Sequence, residues 1–310
     1  MGELSKRIGE EGERIVLGFF ERIGWPKPSE NEDLKCYSPR EHKVGKEEKH
    51  GVDLIYSYVC PVLPSHRRNI IVSVKNSLEH DTLTAKARVK EDIRQLACAV
   101  ECFKKSPERA RIISAGGGVS HVEDIGLLFK MNKDADGSRS FLGTPDSGMR
   151  LDLPGSSTVC FFENARNDFV LHSLNHLELN FKGWEHKYFH PRNTLTVQAD
   201  VRRVSTPLLP VHSLVGGPLC LRLERKKGES GSESALVVYS QEGFTIPRFQ
   251  RLVGIALELS VSWVDVVIVF PEYEELRDKN VVRQVLGGIS DASFASKIRC
   301  VSSELLPRRS

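Results

Sequence analysis

The sequence predicts an α/β protein: a mixed sheet flanked by helices at the N-terminus, followed by an additional C-terminal α/β or α+β region. Three observations carry that reading. The first 115 residues run helix, hairpin, helix, strand, the order of an α/β unit. The last hundred again run strand, helix, strand. About 40% of the 310 residues are apolar, enough to build the core of one large domain or two ordinary ones.

Residues 4–23 predict an amphipathic helix, with Leu4, Ile8, Ile15, Phe19 and Ile23 on one face and Val16 and Phe20 widening it. Gly24-Trp25-Pro26 ends it, because glycine accepts positive φ and proline cannot continue a helix. The charge-rich stretch 27–50 reads as a long surface loop. Val52 to Val59 and Asn69 to Val74 read as strands, joined by a turn with Pro61, Pro64 and Ser65. A second helix is expected from Ala85 to Lys104, with Val89, Ile93, Leu96, Ala97, Val100 and Phe103 on one face. Arg111 to Ala115 reads as a strand closed by Gly116-Gly117-Gly118, a tight strand-to-helix turn.

Residues 1–130 are thus expected to form one domain and 131–157, rich in Asp, Gly, Ser and Pro, a linker or long loop. Residues 158–310 are left as a C-terminal α/β region for recognition or partner docking. There Val170, Leu174, Leu177 and Phe181 suggest a helix, Thr194 to Val201 a strand, SALVVYS a strand, Pro247 to Leu259 a helix and WVDVVIVF a buried strand. The last three echo the first domain's strand–helix–strand and admit a degenerate second copy, although two α/β crossovers look alike without shared ancestry.

Composition excludes more than it selects. A formal net charge of +3, spread evenly over both halves, gives no bulk argument for nucleic acid, so any basic surface must be a local patch. The N-terminus has no apolar signal-peptide core, and Asp265 interrupts the most apolar stretch, so neither export nor a membrane span is expected. Seven cysteines without paired CxxC spacing fit reduced thiols and a cytoplasmic protein. Cys98 and Cys102, four apart on a helix, make half a zinc site at best and read as ordinary buried cysteines.

The segment that carries chemistry is HGVDLIYSYV…NIIVSVK. Ser73 and Lys75, two apart on a strand, project to one face, and Asp53 on the neighbouring strand can lie beside them. A fixed carboxylate with a second nearby suits a hard cation such as Mg²⁺ or Mn²⁺. A lysine at that cation can orient or deprotonate an attacking water and stabilise charge on a phosphorane. These parts suffice for phosphodiester hydrolysis.

That pattern, GVD followed by an apolar strand ending in VK, resembles the PD-(D/E)xK, or restriction-endonuclease-like, nuclease superfamily. Gly12-Glu13, Val16, Phe20 and Gly24-Trp25 resemble the opening helix of Mrr-type restriction enzymes and archaeal Holliday junction resolvases. The resemblance implies Asp53 as central metal ligand, Glu13 as a second ligand or a group that positions one, and Lys75 as catalytic lysine. It implies a Mg²⁺- or Mn²⁺-dependent DNA endonuclease of restriction, phage defence or repair, with a companion subunit or a second copy of the chain as further partners. The superfamily's acidic residue two before the lysine is Ser73 here, and Glu79, Asp81, Glu91 and Asp92 are the candidates for a relocated carboxylate. The alternative is an inactive nuclease-fold module that binds DNA or scaffolds a complex.

For DNA contacts, Arg67-Arg68 stand in the hairpin loop where a duplex would pass, and His50, just before GVD, could touch a phosphate or cap a loop. The runs Lys104-Lys105 and Arg225-Lys226-Lys227 read as solvated faces. The pairs His172/His176 and His186/His190 have helical metal-ligand spacing but no acidic or cysteine partner to complete a site.

Overall fold

A computed structural model describes residues 2–42, 48–77, 82–132, 157–191, 203–227, 231–260 and 264–303. The chain divides into two compact units, Met1–Asn167 and Asp168–Ser310. Glu79, Asp81, most of the expected linker and the strand expected over Thr194 to Val201 lie outside the described residues, as do the side chains of Leu4 and Ile8.

The first unit opens with helix α1 (Gly2–Arg22). Val16, Phe19 and Phe20 are buried on it and Ile23 just after it, whereas Ile15 is 43% exposed, so the apolar stripe is narrower than its sequence suggests. Gly24 ends the helix at φ 82°, which a side chain would resist. Strand β1 (Ser29–Lys35) follows where the sequence reads as a loop. Its charges are those of a sheet edge: β1 pairs antiparallel with β2 (Lys49–Val59) alone, Lys49 reaches Asp33 at 3.1 Å, and Leu34 is buried beneath. Between them stands the short helix α2 (Pro39–His42).

β2 turns into β3 (His66–Ser77), the expected hairpin, and helix α3 (Thr82–Phe103) follows. Arg111 to Ala115, read from its β-branched residues as a strand, is instead the end of helix α4 (Pro107–Ala115). Ser106 caps that helix by accepting from the Arg109 N–H at 3.1 Å, Pro107 opens it, and Glu108 pairs with Arg111 one turn on. The three glycines therefore leave a helix for a strand: Gly116 packs against the Arg67 guanidinium, and Gly117 takes φ 74°. The parallel partner of β3 is β4 (His121–Asn132), and β5 (Thr158–Glu163) adds in parallel beyond it. That last strand carries the first unit past the boundary expected at residue 130.

Sheet order is β1-β2-β3-β4-β5. One face is covered by α1, whose Phe19 and Phe20 rings pack on Phe129, Phe162 and Tyr56. The other is covered by α3, whose Val89, Ile93, Leu96, Val100 and Phe103 join Ile71 and Leu128. Leu128 and Phe129 point oppositely because successive strand residues alternate. Each such buried aliphatic or aromatic side chain contributes about 1.5–3 kcal/mol, so α3 holds to the sheet by packing more than by propensity.

The second unit takes in most of α5 (Asn164–Asn180) and then β6 (Glu185–Pro191), β7 (Arg203–Thr206), α6 (Val211–Val215), β8 (Leu219–Lys227), β9 (Gly231–Tyr239), α7 (Ile246–Leu259), β10 (Asp265–Phe270), α8 (Glu275–Gly287), α9 (Ala292–Ala295) and β11 (Ile298–Ser302). β6-β8-β9 pair antiparallel and β9-β10-β11 in parallel, with α7 as the first crossover; β7 is an extra edge strand. Strand for strand and direction for direction, this repeats β1 to β5. Among the described residues no helix is long and apolar enough to cross a membrane.

Candidate active site

β2 and β3 bring the predicted residues together. Continuing their register one residue past Leu54↔Val72 sets Asp53 opposite Ser73. The Val74 N–H donates to Asp53 Oδ2 at 2.6 Å, so a side-chain oxygen takes the place of a ladder carbonyl and holds the carboxylate still. Burial pushes the Asp53 carboxyl above its usual range, against the pull of the Val74 N–H, the Lys75 ammonium and the Ser73 hydroxyl. A buried carboxylate that its own neighbours do not fully compensate is a place where a cation is favoured.

Ser73 and Lys75 share the side of β3 that faces α3, as Ile71 does. There a cavity opens, lined by Ser73, Lys75, Glu91, Asp92 and Gln95 among others. Asp92, half-buried on α3, pairs with Lys130 of β4 at 3.1 Å, and Lys130 stands beside Lys75 in the β3–β4 register. Glu91 lines the same cavity but is exposed and held by Arg94 at 2.6 Å. Of the candidates for a relocated carboxylate, Asp92 therefore lies deepest among the described residues. The donors on hand, carboxylate and hydroxyl oxygens, fit a hard divalent cation. Glu13 stands half-buried on α1, across the sheet from α3 and one turn before the buried Val16.

The three residues expected at DNA have protein partners. Arg67 is buried and donates to Ser57 Oγ at 3.1 Å and to the Gly116 carbonyl. Arg68 pairs with Glu123 at 3.0 Å. His50 is buried beside Cys36, His42 and Cys102, a grouping that sequence spacing did not reveal. The discounted histidines of α5 are held in the second unit: His172 Nε2 lies 2.7 Å from the Ser303 carbonyl and His176 Nδ1 3.0 Å from the Tyr239 hydroxyl.

The open end of the β8–β9 hairpin carries different residues. Extending the β8–β9 register past Leu219↔Tyr239 sets Pro218 opposite Ser240. A cavity lies there too, but Arg248 and Arg251 line it, and Arg248 pairs with Glu242 at 2.8 Å. Proline offers no side-chain ligand.

Residues 1–166, over half of the chain, match the family model described as the GAPS4 protein PD-(D/E)XK nuclease domain. No curated protein and no solved structure matches the chain.

Proposed function

The chain belongs to the GAPS4 PD-(D/E)XK nuclease domain family, and on that premise we propose that it is a Mg²⁺- or Mn²⁺-dependent endonuclease that hydrolyses DNA phosphodiester bonds. The observation that carries the reading is the meeting of Asp53, Ser73 and Lys75 on two adjacent strands beside the cavity that Asp92 lines. Asp53 would hold the cation, with Asp92, which lines the same cavity, as second carboxylate; Glu13, expected in that role, stands across the sheet. The bound cation supplies positive charge against the charge developing on the phosphate and acidifies the attacking water. The Val74 N–H and the Ser73 hydroxyl aim the Asp53 carboxylate. Lys75, on the same face as Ser73, orients the attacking water or donates to the scissile phosphate. Attack in line with the leaving oxygen breaks the bond to O3′ and leaves a 5′-phosphate and a 3′-hydroxyl.

Restriction, phage defence or repair is the setting that fits such an activity, with a companion subunit or a second copy of the chain as partner. The inward turn of Arg67 and His50 shifts the expected DNA contacts to other residues. The rival reading, an inactive module, draws on Ser73 in place of an acid. Incubating the purified chain with supercoiled and linear DNA, with Mg²⁺, with Mn²⁺ or with neither, separates the two. Cutting that needs the cation and vanishes in Asp53→Ala and Lys75→Ala establishes the nuclease. Variants that cut as well as the wild type overturn it, and a wild type that binds but never cuts favours the module.

A further inference from the structure

Four elements converge beside the Asp53 strand. The chain leaves β1 through Cys36 and enters α2, which ends at His42; β2 carries His50, and α3 carries Cys102 in its last turn. All four side chains are buried, and their ligand atoms all lie within 4.8 Å of one another. The Cys36 and Cys102 sulfurs are 3.9 Å apart. His42 Nδ1 lies 3.3 Å from His50 Nε2, 3.4 Å from Cys36 Sγ and 3.5 Å from Cys102 Sγ.

Hydrogen bonding does not account for this arrangement. His42 Nδ1 faces three heteroatoms at bonding distance, yet one ring nitrogen offers one hydrogen or one lone pair. A central ion accounts for it. Around a tetrahedral Zn²⁺, bonds of about 2.3 Å to sulfur and 2.0–2.1 Å to nitrogen give edges of about 3.8 Å (S–S), 3.3 Å (N–N) and 3.6 Å (S–N). The four distances above lie within about 0.2 Å of the matching edges, and His50 Nε2 is within 4.8 Å of both sulfurs. We propose that Cys36, His42, His50 and Cys102 form a structural zinc site.

The surroundings are those a zinc site needs. Glu101 Oε2 lies 3.3 Å from His42 Nε2, so a carboxylate holds the ring with Nδ1 turned to the centre. The Tyr37 N–H donates to Cys102 Sγ at 3.3 Å, which supports a thiolate. His50 is buried beside them and offers an imidazole nitrogen. Two thiolates and two neutral imidazoles balance a dication, so the filled site is uncharged and suited to burial. Sulfur and imidazole select zinc over the hard cation expected at Asp53, and four protein ligands leave no open position for catalysis. The ion would pin the segment after β1 and the start of β2, three residues before Asp53, to the helix that carries Asp92. The inference is independent of the nuclease reading.

The purified full chain, exchanged into metal-free buffer under reducing conditions, should retain stoichiometric zinc by plasma mass spectrometry. Asp53→Ala should keep that zinc; Cys36→Ser and Cys102→Ser should lose most of it. Should the cysteine variants fail to fold, cobalt exchanged into the wild-type chain decides. Intense visible bands of a tetrahedral centre with a thiolate charge-transfer band support the site, and the weak spectrum of six-coordinate cobalt overturns it. A wild type that neither holds zinc nor takes up cobalt, one that joins Cys36 to Cys102 in a disulfide instead, or loss of zinc in Asp53→Ala also overturns it.

Discussion

Replacing Asp53 by Asn should abolish Mg²⁺ binding while making the Mg²⁺-free protein more stable, a pair of opposite effects that few structural roles would produce. Asn is isosteric and keeps an oxygen for the Val74 N–H, which now donates to Asp53 Oδ2 at 2.6 Å. What it removes is a charge that burial disfavours. The Asp53 carboxyl sits above its ordinary value of 3.8 in the folded chain. Its ionisation therefore weighs against folding at neutral pH, and that penalty fades as pH falls through the raised value towards the unfolded one. Asp53→Ala removes the acceptor as well and should lie below Asp53→Asn by roughly 1–3 kcal/mol, the cost of a backbone donor left unsatisfied. Mg²⁺ at about 100 times its Kd should stabilise the wild type by ~2.7 kcal/mol, a rise in unfolding temperature of roughly 5–10 °C for a unit of this size. The assay is thermal unfolding at pH 7 and at pH 4.5, with and without Mg²⁺, omitting strong chelators that would also strip zinc. An equal Mg²⁺ shift in Asp53→Asn, or a Mg²⁺-free variant less stable than wild type at pH 7, would refute the reasoning.

Ser73→Glu should set a second carboxylate directly opposite Asp53 and lower the half-saturating Mg²⁺ concentration about tenfold, equivalent to about 1.4 kcal/mol of cation binding; an unchanged Mg²⁺ titration of cleavage or of unfolding would place the cation elsewhere. In the second unit His190 is buried, held to about 4 by burial and by His212, with Ser213 Oγ 3.3 Å from its Nδ1. Because its folded value lies below the unfolded 6.5, its contribution is intact above 6.5 and is lost as pH falls through about 4. The full loss is about 3 kcal/mol, so His190→Gln should flatten the acid side of the unfolding profile, and parallel profiles for the two proteins would show that other groups control it.

Much of the first unit is legible in the sequence because its signals are local. α1 and α3 each turn one apolar face to the sheet, and a single side chain per turn suffices to show the period. The β2–β3 hairpin and its Asp53, Ser73 and Lys75 are legible for the same reason, since strand alternation fixes which residues share a face. Local signals also mislead. Ile112 and Ile113 suggest a strand, yet a capped first turn and an ion pair one turn apart make a helix of Pro107–Ala115. The charges of β1 suggest a loop, yet an edge strand tolerates them once β2 supplies the hydrogen bonds.

What the sequence by itself determined is the kind of fold and the acid–lysine pattern of one site, because both are written in spacings of two to four residues. Tertiary structure decided the rest. It placed Asp92 deeper than Glu91 beside the cavity of Ser73 and Lys75, turned Arg67 inward, and showed the second sheet repeating the strand order of the first. It also gathered Cys36, His42, His50 and Cys102. Those four come from separate elements and span 67 positions of the chain, and no spacing rule predicts that pairing of β1 with β2 and packing of α3 on the sheet will bring their ligand atoms together.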